Sequence, residues 1–185
     1  MPPKKYPDLL FVDTETTGLD STRHELIEVA AIRTSYDGLD VIETYEAKLP
    51  PVNLRTADPK ALQMNGYTPE EWTPEKCEAP LMVVNRLAEM ATDTMLVGHN
   101  VSFDESFLLP LFRHYAMTPP WSYHKIDTVS LAWLHYNDST SLEGLSLNKV
   151  CAFLGVEQPT AHRAMADAET CRKVYLRLMQ RTEVF

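Results

Sequence analysis

The alternation of hydrophobic and polar positions in the first third of the chain predicts three strands. Residues 9–12 form a short apolar run, LLFV, and residues 26–34 alternate so that odd and even positions form separate faces. Short apolar runs and period-two alternation are typical of buried and half-buried strands. We therefore predict strands at about residues 9–14, 26–34 and 41–48, paired as an antiparallel meander.

The pattern changes after residue 50, where helical spacing alternates with short apolar segments. Ser146 and Gly155 are typical capping residues at the two ends of one such helix. Strands that first pair antiparallel and then alternate with helices predict an α/β fold, in which a mixed central sheet, antiparallel first and parallel afterwards, is flanked by helices. The predicted helices cover residues 59–64, 80–90, 102–115, 129–135, 147–154 and 161–181, and the later predicted strands cover residues 95–98 and 125–127.

Length and composition favour one globular domain. The chain has 185 residues, 44% of them hydrophobic, and no apolar stretch typical of a transmembrane helix or a signal peptide. We expect a Pro-rich lead at residues 1–7, a single domain at residues 8–181, a short end at residues 182–185, and a cytoplasmic location with no membrane partner. The three cysteines have no CxxC spacing, which argues against disulfides and against a cysteine zinc site.

The charge of the chain limits how it can meet an anionic partner. With 26 acidic and 17 basic residues the formal net charge is −9, which argues against binding nucleic acid through a broad basic face. An anionic substrate would have to be met locally, through metal ions or a few Lys and Arg side chains.

Two acids follow the first apolar run, in FVDTETTG. Asp13 and Glu15 are two positions apart, so on a strand they project from the same face, just before a turn at Gly18. Two carboxylates this close repel, and each raises the pKa of the other unless a cation lies between them. The alternative is a pair of solvated acids at an exposed strand end.

Asp167 lies on the face of the last predicted helix that should be buried. It falls within the sector of an apolar stripe, and a buried carboxylate must either be neutral or find a cation. It therefore needs a metal, a polar cleft or, as the alternative, an Arg from elsewhere in the chain. The stripe consists of Ala164, Ala168, Cys171, Tyr175 and Leu178.

Two further polar residues occur in GHNVSFDESF. Asp104 opens a predicted helix, where an acid is alternatively explained by a favourable interaction with the helix dipole. His99 follows an apolar segment, and we interpret it as a hydrogen-bonded core residue rather than a ligand.

The acids from one strand and two helices have the oxygen donors that Mg²⁺ prefers. Two divalent ions would also cancel the local negative charge and let a phosphodiester enter. His162 is the candidate general base, because an imidazole titrates near neutral pH. It would lie about 140° from Asp167 on one helix, so we expect it at or before the helix start. Alternatively, it is a solvent-exposed loop residue.

Three segments in order, FVDTETTG, HNVSFD and HRAMAD, resemble the three exonuclease motifs of the DEDDh (DnaQ-like) family, typified by the proofreading subunit of the bacterial replicative polymerase. The similarity extends from about Leu9 to Leu178 and includes ALQMNGYTPEEW and LNKVCAFLG. It implies a ribonuclease H-like fold and a 3′–5′ exonuclease that releases nucleoside 5′-monophosphates. Arg163, four positions before Asp167, disfavours the sister subclass that has tyrosine there.

The resemblance also implies roles for individual residues. Asp13 would bridge two divalent ions, Mg²⁺ or Mn²⁺. Glu15 and Asp167 would complete the site of the first ion, and Asp104 would support the second. His162 would take the proton of the attacking water.

Substrate contacts follow from the same resemblance. Leu19 and Phe103 correspond to apolar residues that wedge against the terminal bases, with core packing as the alternative. Thr17 corresponds to the position that holds the terminal 3′-hydroxyl through its backbone amide. The stretch that flanks the terminal nucleotide is Met64, Asn65 and Gly66, and many relatives carry histidine in place of Asn65.

Three functions remain open at this point. The first is a DNA exonuclease that acts on single strands or frayed 3′ ends in repair or proofreading. The second keeps the chemistry but acts on RNA, since no residue decides how a 2′-hydroxyl is sensed. The third is a non-enzymatic interaction module, against which the intact acids and histidine count. A polymerase partner is not evident, and so acidic a chain predicts modest affinity and distributive digestion.

Overall fold

The computed structural model describes residues 6–158 and 162–180. Its strands are β1 (Asp8–Thr16), β2 (Leu26–Thr34), β3 (Val41–Lys48), β4 (Thr94–Gly98) and β5 (Lys125–Asp127). They form one five-stranded sheet in the order β3-β2-β1-β4-β5. The first three strands pair antiparallel, whereas β1 with β4 and β4 with β5 pair parallel. The predicted meander and mixed sheet are therefore confirmed.

The helices are α1 (Pro59–Met64), α2 (Pro80–Ala91), α3 (Val101–His114), α4 (Thr128–Tyr136), α5 (Leu147–Leu154) and α6 (Ala164–Met179). Most bounds agree with the prediction to within two residues, but α6 begins at Ala164 rather than at position 161. The reason is that His162 has a φ of +61°, which a right-handed helix does not include. The predicted helix end, Arg181, lies outside the described residues. In the part of the chain that the structure describes, none of the helices has both the length and the apolar character needed to cross a bilayer.

Two apolar layers enclose the sheet, because successive side chains of a strand point to opposite faces. On one face α2 and α3 cover Leu10 and Val12 of β1. On the other face α6 covers Leu9 and Phe11. The end of β1 therefore presents alternate side chains to two different helical layers.

The pairing of β1 with β2 is irregular where β1 ends. The register shifts between Glu15 and Thr16, which leaves Ile27 as an extra residue on β2; bulges of this kind redirect a strand near its end. The carbonyl of Ile27 accepts hydrogen bonds from the backbone N–H of Leu49 and from the indole N–H of Trp72, both at 2.8 Å. The bulge is thus held by groups outside the strand pair.

Replacing Trp72 with phenylalanine is expected to lower the free energy of unfolding by about 1–2 kcal/mol, because the Ile27 carbonyl loses one of its two donors. Urea unfolding followed by circular dichroism measures the change. Trp133→Phe is the matched control, since that ring is 56% exposed, and should change stability by less than about 0.5 kcal/mol. A Trp72→Phe variant as stable as the wild type would exclude a supporting role for the indole.

Candidate active site

Asp13 and Glu15 lie at the end of β1, on the face that α6 covers. They continue the row of Leu9 and Phe11, and Glu15 lies directly opposite Glu28 of β2. The alternation of the strand therefore delivers both carboxylates to one side of the sheet, as predicted.

Asp167 lies in the first turn of α6 and is 7% exposed. Its neighbours Ala164 and Ala168 pack in the layer between α6 and the sheet. One carboxylate oxygen accepts from Nε2 of Gln158 at 2.8 Å, and the other accepts from the backbone N–H of His162 at 2.7 Å. The predicted buried acid is confirmed, and these two partners are neutral N–H groups rather than an arginine.

His162 lies two residues before α6, which confirms the prediction that it precedes the helix. One ligand atom from each of Glu15, His162 and Asp167 lies within 4.8 Å of the other two. The imidazole and two carboxylates therefore share one site, which argues against an isolated loop histidine.

Asp104 approaches the end of β1 from the opposite helical layer. It lies in the first turn of α3 and is 4% exposed. The hydroxyl of Thr14 donates to Oδ1 of Asp104 at 2.8 Å. Because Thr14 stands between Asp13 and Glu15 on β1, this bond ties Asp104 to the strand that carries the other two acids.

His99 is a structural residue, as predicted. Its ring nitrogens lie 2.9 Å from the hydroxyl of Thr128 and 2.7 Å from the backbone carbonyl of Leu145. The carbonyl requires a proton on Nε2, so Nδ1 accepts from the hydroxyl, and burial lowers the pKa of the ring. His99 thus links the end of β4 to α4 and to the loop before α5.

Burial raises the pKa values of the site acids, and for Asp13 and Glu15 the neighbouring carboxylates raise them further. Burial, followed by the charge of Asp104, raises the pKa of Asp13 well above its usual value. Burial and the charge of Asp167 raise the pKa of Glu15 to about 8, and burial raises the pKa of Asp104 to about 7. A divalent cation would relieve this repulsion, and carboxylate oxygens are donors that hard cations prefer.

In EDTA the protein is expected to be less stable at about pH 8.5 than at about pH 6. Glu15 and Asp104 have raised pKa values when folded, so the folded state holds more protons than the unfolded state above about pH 4. The stability that these protons provide is lost as the pH rises through about 7 and 8. Thermal melts should show a fall in Tm of roughly 5 °C or more.

A Glu15→Gln variant, which cannot ionise at this position, is the control for that pH dependence and should show a smaller fall in Tm. A wild-type protein that is as stable at about pH 8.5 as at about pH 6, or more stable, would contradict the raised pKa values of Glu15 and Asp104.

The residues predicted to contact substrate differ in their exposure. Leu19, in the connection from β1 to β2, is 80% exposed, and Met64 is 58% exposed. Phe103 is half-buried, with its ring centroid 5.1 Å from that of Phe107. Gly66 is exposed and has a φ of +66°. Leu19 and Met64 are therefore accessible to a ligand, whereas Phe103 also packs within the protein.

Thr17 and Asn65 are engaged by groups of the protein itself. The backbone N–H of Thr17 donates to the carbonyl of Glu25 at 2.8 Å, so the amide predicted to hold a 3′-hydroxyl is already paired here. Asn65 is 2% exposed, and its side chain donates to the carbonyl of Thr16 at 3.0 Å and accepts from the N–H of Tyr67 at 3.2 Å. Asn65 thus fixes its segment against the end of β1.

Sequence reasoning missed three residues that contact the site or its flanking loop: Glu28, Gln158 and Arg163. Glu28 is fully buried on β2, and Nε of Arg163 lies 3.3 Å from its Oε1. An acid inside the apolar segment LIEVAAI is a signal that could have singled out Glu28. Nothing near position 163 identifies its partner, which is 135 positions away in the chain.

One family profile and two relatives each match most of the length of this chain. The profile of the family described as RNase_T, exonuclease, matches residues 10–175. DNA polymerase III PolC-type of Thermotoga maritima is 30% identical over 177 residues, which are 95% of this chain but 12% of that protein. Ribonuclease T of Marinobacter nauticus is 28% identical over 187 residues, which are 92% of this chain and 81% of that protein.

Solved structures of exonuclease I share the arrangement of strands and helices. One, whose structure suggests how processivity is achieved, is 25% identical with a TM-score of 0.81, over 95% of this chain and 41% of that chain. Another, from E. coli in complex with a dT13 oligonucleotide, is 24% identical with a TM-score of 0.80 over the same shares. The second likeness concerns the fold alone.

Proposed function

Since this chain belongs to the RNase_T exonuclease family, we propose that it removes nucleoside 5′-monophosphates from the 3′ end of DNA, at single strands or frayed ends. Membership confirms the resemblance to the DEDDh (DnaQ-like) exonucleases, and the likeness to exonuclease I confirms the ribonuclease H-like α/β fold. The observation that carries the proposal is the convergence of buried and half-buried acids and a histidine at the end of β1. These residues are Asp13, Glu15, Asp104, Asp167 and His162.

Two divalent cations, Mg²⁺ or Mn²⁺, fit this donor set, because carboxylates that repel one another gain from a cation between them. We propose that Asp13, Glu15 and Asp167 hold one ion and that Asp13 and Asp104 hold the other. When bound, such ions stabilise the charge on the attacking and leaving oxygens of a phosphodiester displacement. We propose that this site belongs to a single domain, residues 8–181.

His162 is proposed as the general base that takes the proton of the attacking water. Its ring shares the site with Glu15 and Asp167, and its backbone is held by the same aspartate. Leu19, Met64 and Phe103 are proposed to contact the terminal nucleotides, since apolar contacts and aromatic stacking do not depend on the identity of the base.

RNA is the second candidate substrate. The observation that favours it is the similarity to Ribonuclease T of Marinobacter nauticus. We place DNA first because the similarity to PolC-type DNA polymerases has the higher identity. A role in DNA repair or proofreading is part of this proposal.

A gel time course tests both substrates. Single-stranded DNA, RNA of the same sequence and duplex DNA, each labelled at the 5′ end, are incubated with Mg²⁺, Mn²⁺ or EDTA. We expect a ladder that shortens from the 3′ end only with a divalent ion, and fastest on single-stranded DNA. Faster digestion of RNA would reverse the order of the candidates. Intact polymers under every condition, with folded protein, would contradict the enzyme and favour an interaction module.

A further inference from the structure

Glu28 is a buried acid that the proposed mechanism leaves without a role. It is 0% exposed, lies on β2 directly opposite Glu15, and its Oε2 has no hydrogen-bond partner among the described residues. Burial raises the pKa of the Glu28 carboxyl above its usual value. The Arg163 guanidinium offsets part of this rise, whereas the nearby Glu46 carboxylate adds to it. A buried acid opposite another acid opposes folding, so its presence calls for a reason beyond packing.

Arg163 is the cation that Glu28 binds. Its Nε–H donates to Oε1 of Glu28 at 3.3 Å, and its side chain is 46% exposed. Arg163 directly follows His162 and is the N-cap residue of α6. The ion pair therefore connects the start of α6 to the second strand of the sheet. The charge of Arg163 also affects Glu15. Burial raises the pKa of the Glu15 carboxyl, and the Arg163 guanidinium lowers that pKa in part.

The backbone around His162 is held from both sides. The N–H of His162 donates to Oδ2 of Asp167 at 2.7 Å, and the next residue, Arg163, is fixed on Glu28. A non-glycine residue with a φ of +61° keeps this conformation only where the surroundings impose it. The two contacts supply that constraint at the point where the chain enters α6.

We infer that Glu28 is a positioning residue: through Arg163 it fixes the loop that carries His162, so that the imidazole stays beside Glu15 and Asp167. The effect on rate rests on the proposed function, whereas the effect on the loop rests only on the contacts described above.

Variants at both ends of the ion pair test the inference. Glu28→Gln and Arg163→Met remove the pair from either side, and Arg163→Lys keeps the charge. Arg33→Met is the matched control, because Arg33 of β2 pairs at 2.9 Å with Asp8 at the start of β1, away from the site. It removes an arginine–carboxylate pair between β1 and β2 without touching the His162 loop.

The first readout needs neither metal nor substrate. Hydrogen exchange of the His162 amide, measured by NMR in EDTA, reports how firmly the loop is held. We expect Glu28→Gln and Arg163→Met to accelerate this exchange at least about tenfold relative to amides in the middle of α6. The Arg33→Met control should leave it unchanged.

The second readout is kinetic. Glu28→Gln and Arg163→Met should each lose about 10–100-fold in kcat while KM and Mg²⁺ affinity stay nearly constant, and Arg33→Met should keep its kcat. The double variant should lose no more than the single ones, and Arg163→Lys should recover part of the loss. In a His162→Asn background, Glu28→Gln should cause no further loss, because the group that it positions is gone.

Unchanged amide exchange in Glu28→Gln and Arg163→Met, or an undiminished loss in the His162→Asn background, would overturn the inference. If Glu28→Gln does not fold, Arg163→Met is used for both readouts. Arg163 is half-exposed, so replacing it should disturb folding less than replacing the buried Glu28. A wild-type protein that digests no polymer would instead remove the proposed function. Amide exchange would still decide whether Glu28 fixes the loop.

Discussion

Replacing Asp13 with asparagine is expected to lower the rate of 3′-end hydrolysis by at least about 10³-fold and to raise the Tm of the metal-free protein. The two effects have one cause. Asp13 is the acid whose pKa burial and three neighbouring carboxylates of the site raise well above its usual value. The asparagine side chain has nearly the same shape but no charge, so it relieves repulsion in EDTA and removes one carboxylate of the proposed metal site in Mg²⁺.

The measurement pairs a single-turnover assay with thermal melts in EDTA and in Mg²⁺. In EDTA at about pH 8.5 the Tm of Asp13→Asn should exceed that of the wild type by roughly 3 °C or more, and the rise in Tm on adding Mg²⁺ should be smaller. Asp93→Asn is the control for removing a charge. Asp93 is exposed, and its φ of +57° suits asparagine equally well. An active Asp13→Asn variant, or one that is less stable in EDTA, would contradict the assignment.

Most elements of the fold could be predicted because local signals and tertiary structure agree. The helix at residues 147–154 begins after Ser146 and ends at Gly155, whose φ of +65° stops it. The apolar stripe alone does not mark where the last helix begins, so the periodicity predicted position 161 instead of Ala164. That point is set by His162, whose backbone is bonded to Asp167, a residue inside the helix.

The candidate site could be predicted where spacing along one element is enough. Strand alternation alone places Asp13 and Glu15 on one face. The contact of Asp104 with Thr14 depends on how α3 packs on the sheet, and no local pattern encodes that packing. The same limit applies to Thr17, whose amide is paired with Glu25, the residue just before β2, which sequence spacing does not relate to it.

Replacing His162 with asparagine is expected to lower kcat by about 10²–10⁴-fold, the range for loss of a general base, while Mg²⁺ still stabilises the protein. Asparagine is the informative substitution, because it tolerates the left-handed φ of +61° better than alanine does. The backbone N–H that donates to Asp167 is retained, so the carboxylate keeps its bond to the loop. The loss then reports the ring rather than the position of the acid.

Three measurements distinguish the role of the His162 ring from an effect of the substitution on folding or on metal binding. The Tm of His162→Asn in EDTA should lie within about 2 °C of the wild-type value, and calorimetry should show Mg²⁺ binding that depends on the four carboxylates. Free imidazole should restore part of the activity, because the ring occupies a site that asparagine only partly fills. A variant that keeps more than about a tenth of wild-type kcat would show that His162 is not the base. Loss of Mg²⁺ binding together with activity would instead make His162 a ligand, which its distance from Glu15 and Asp167 also permits.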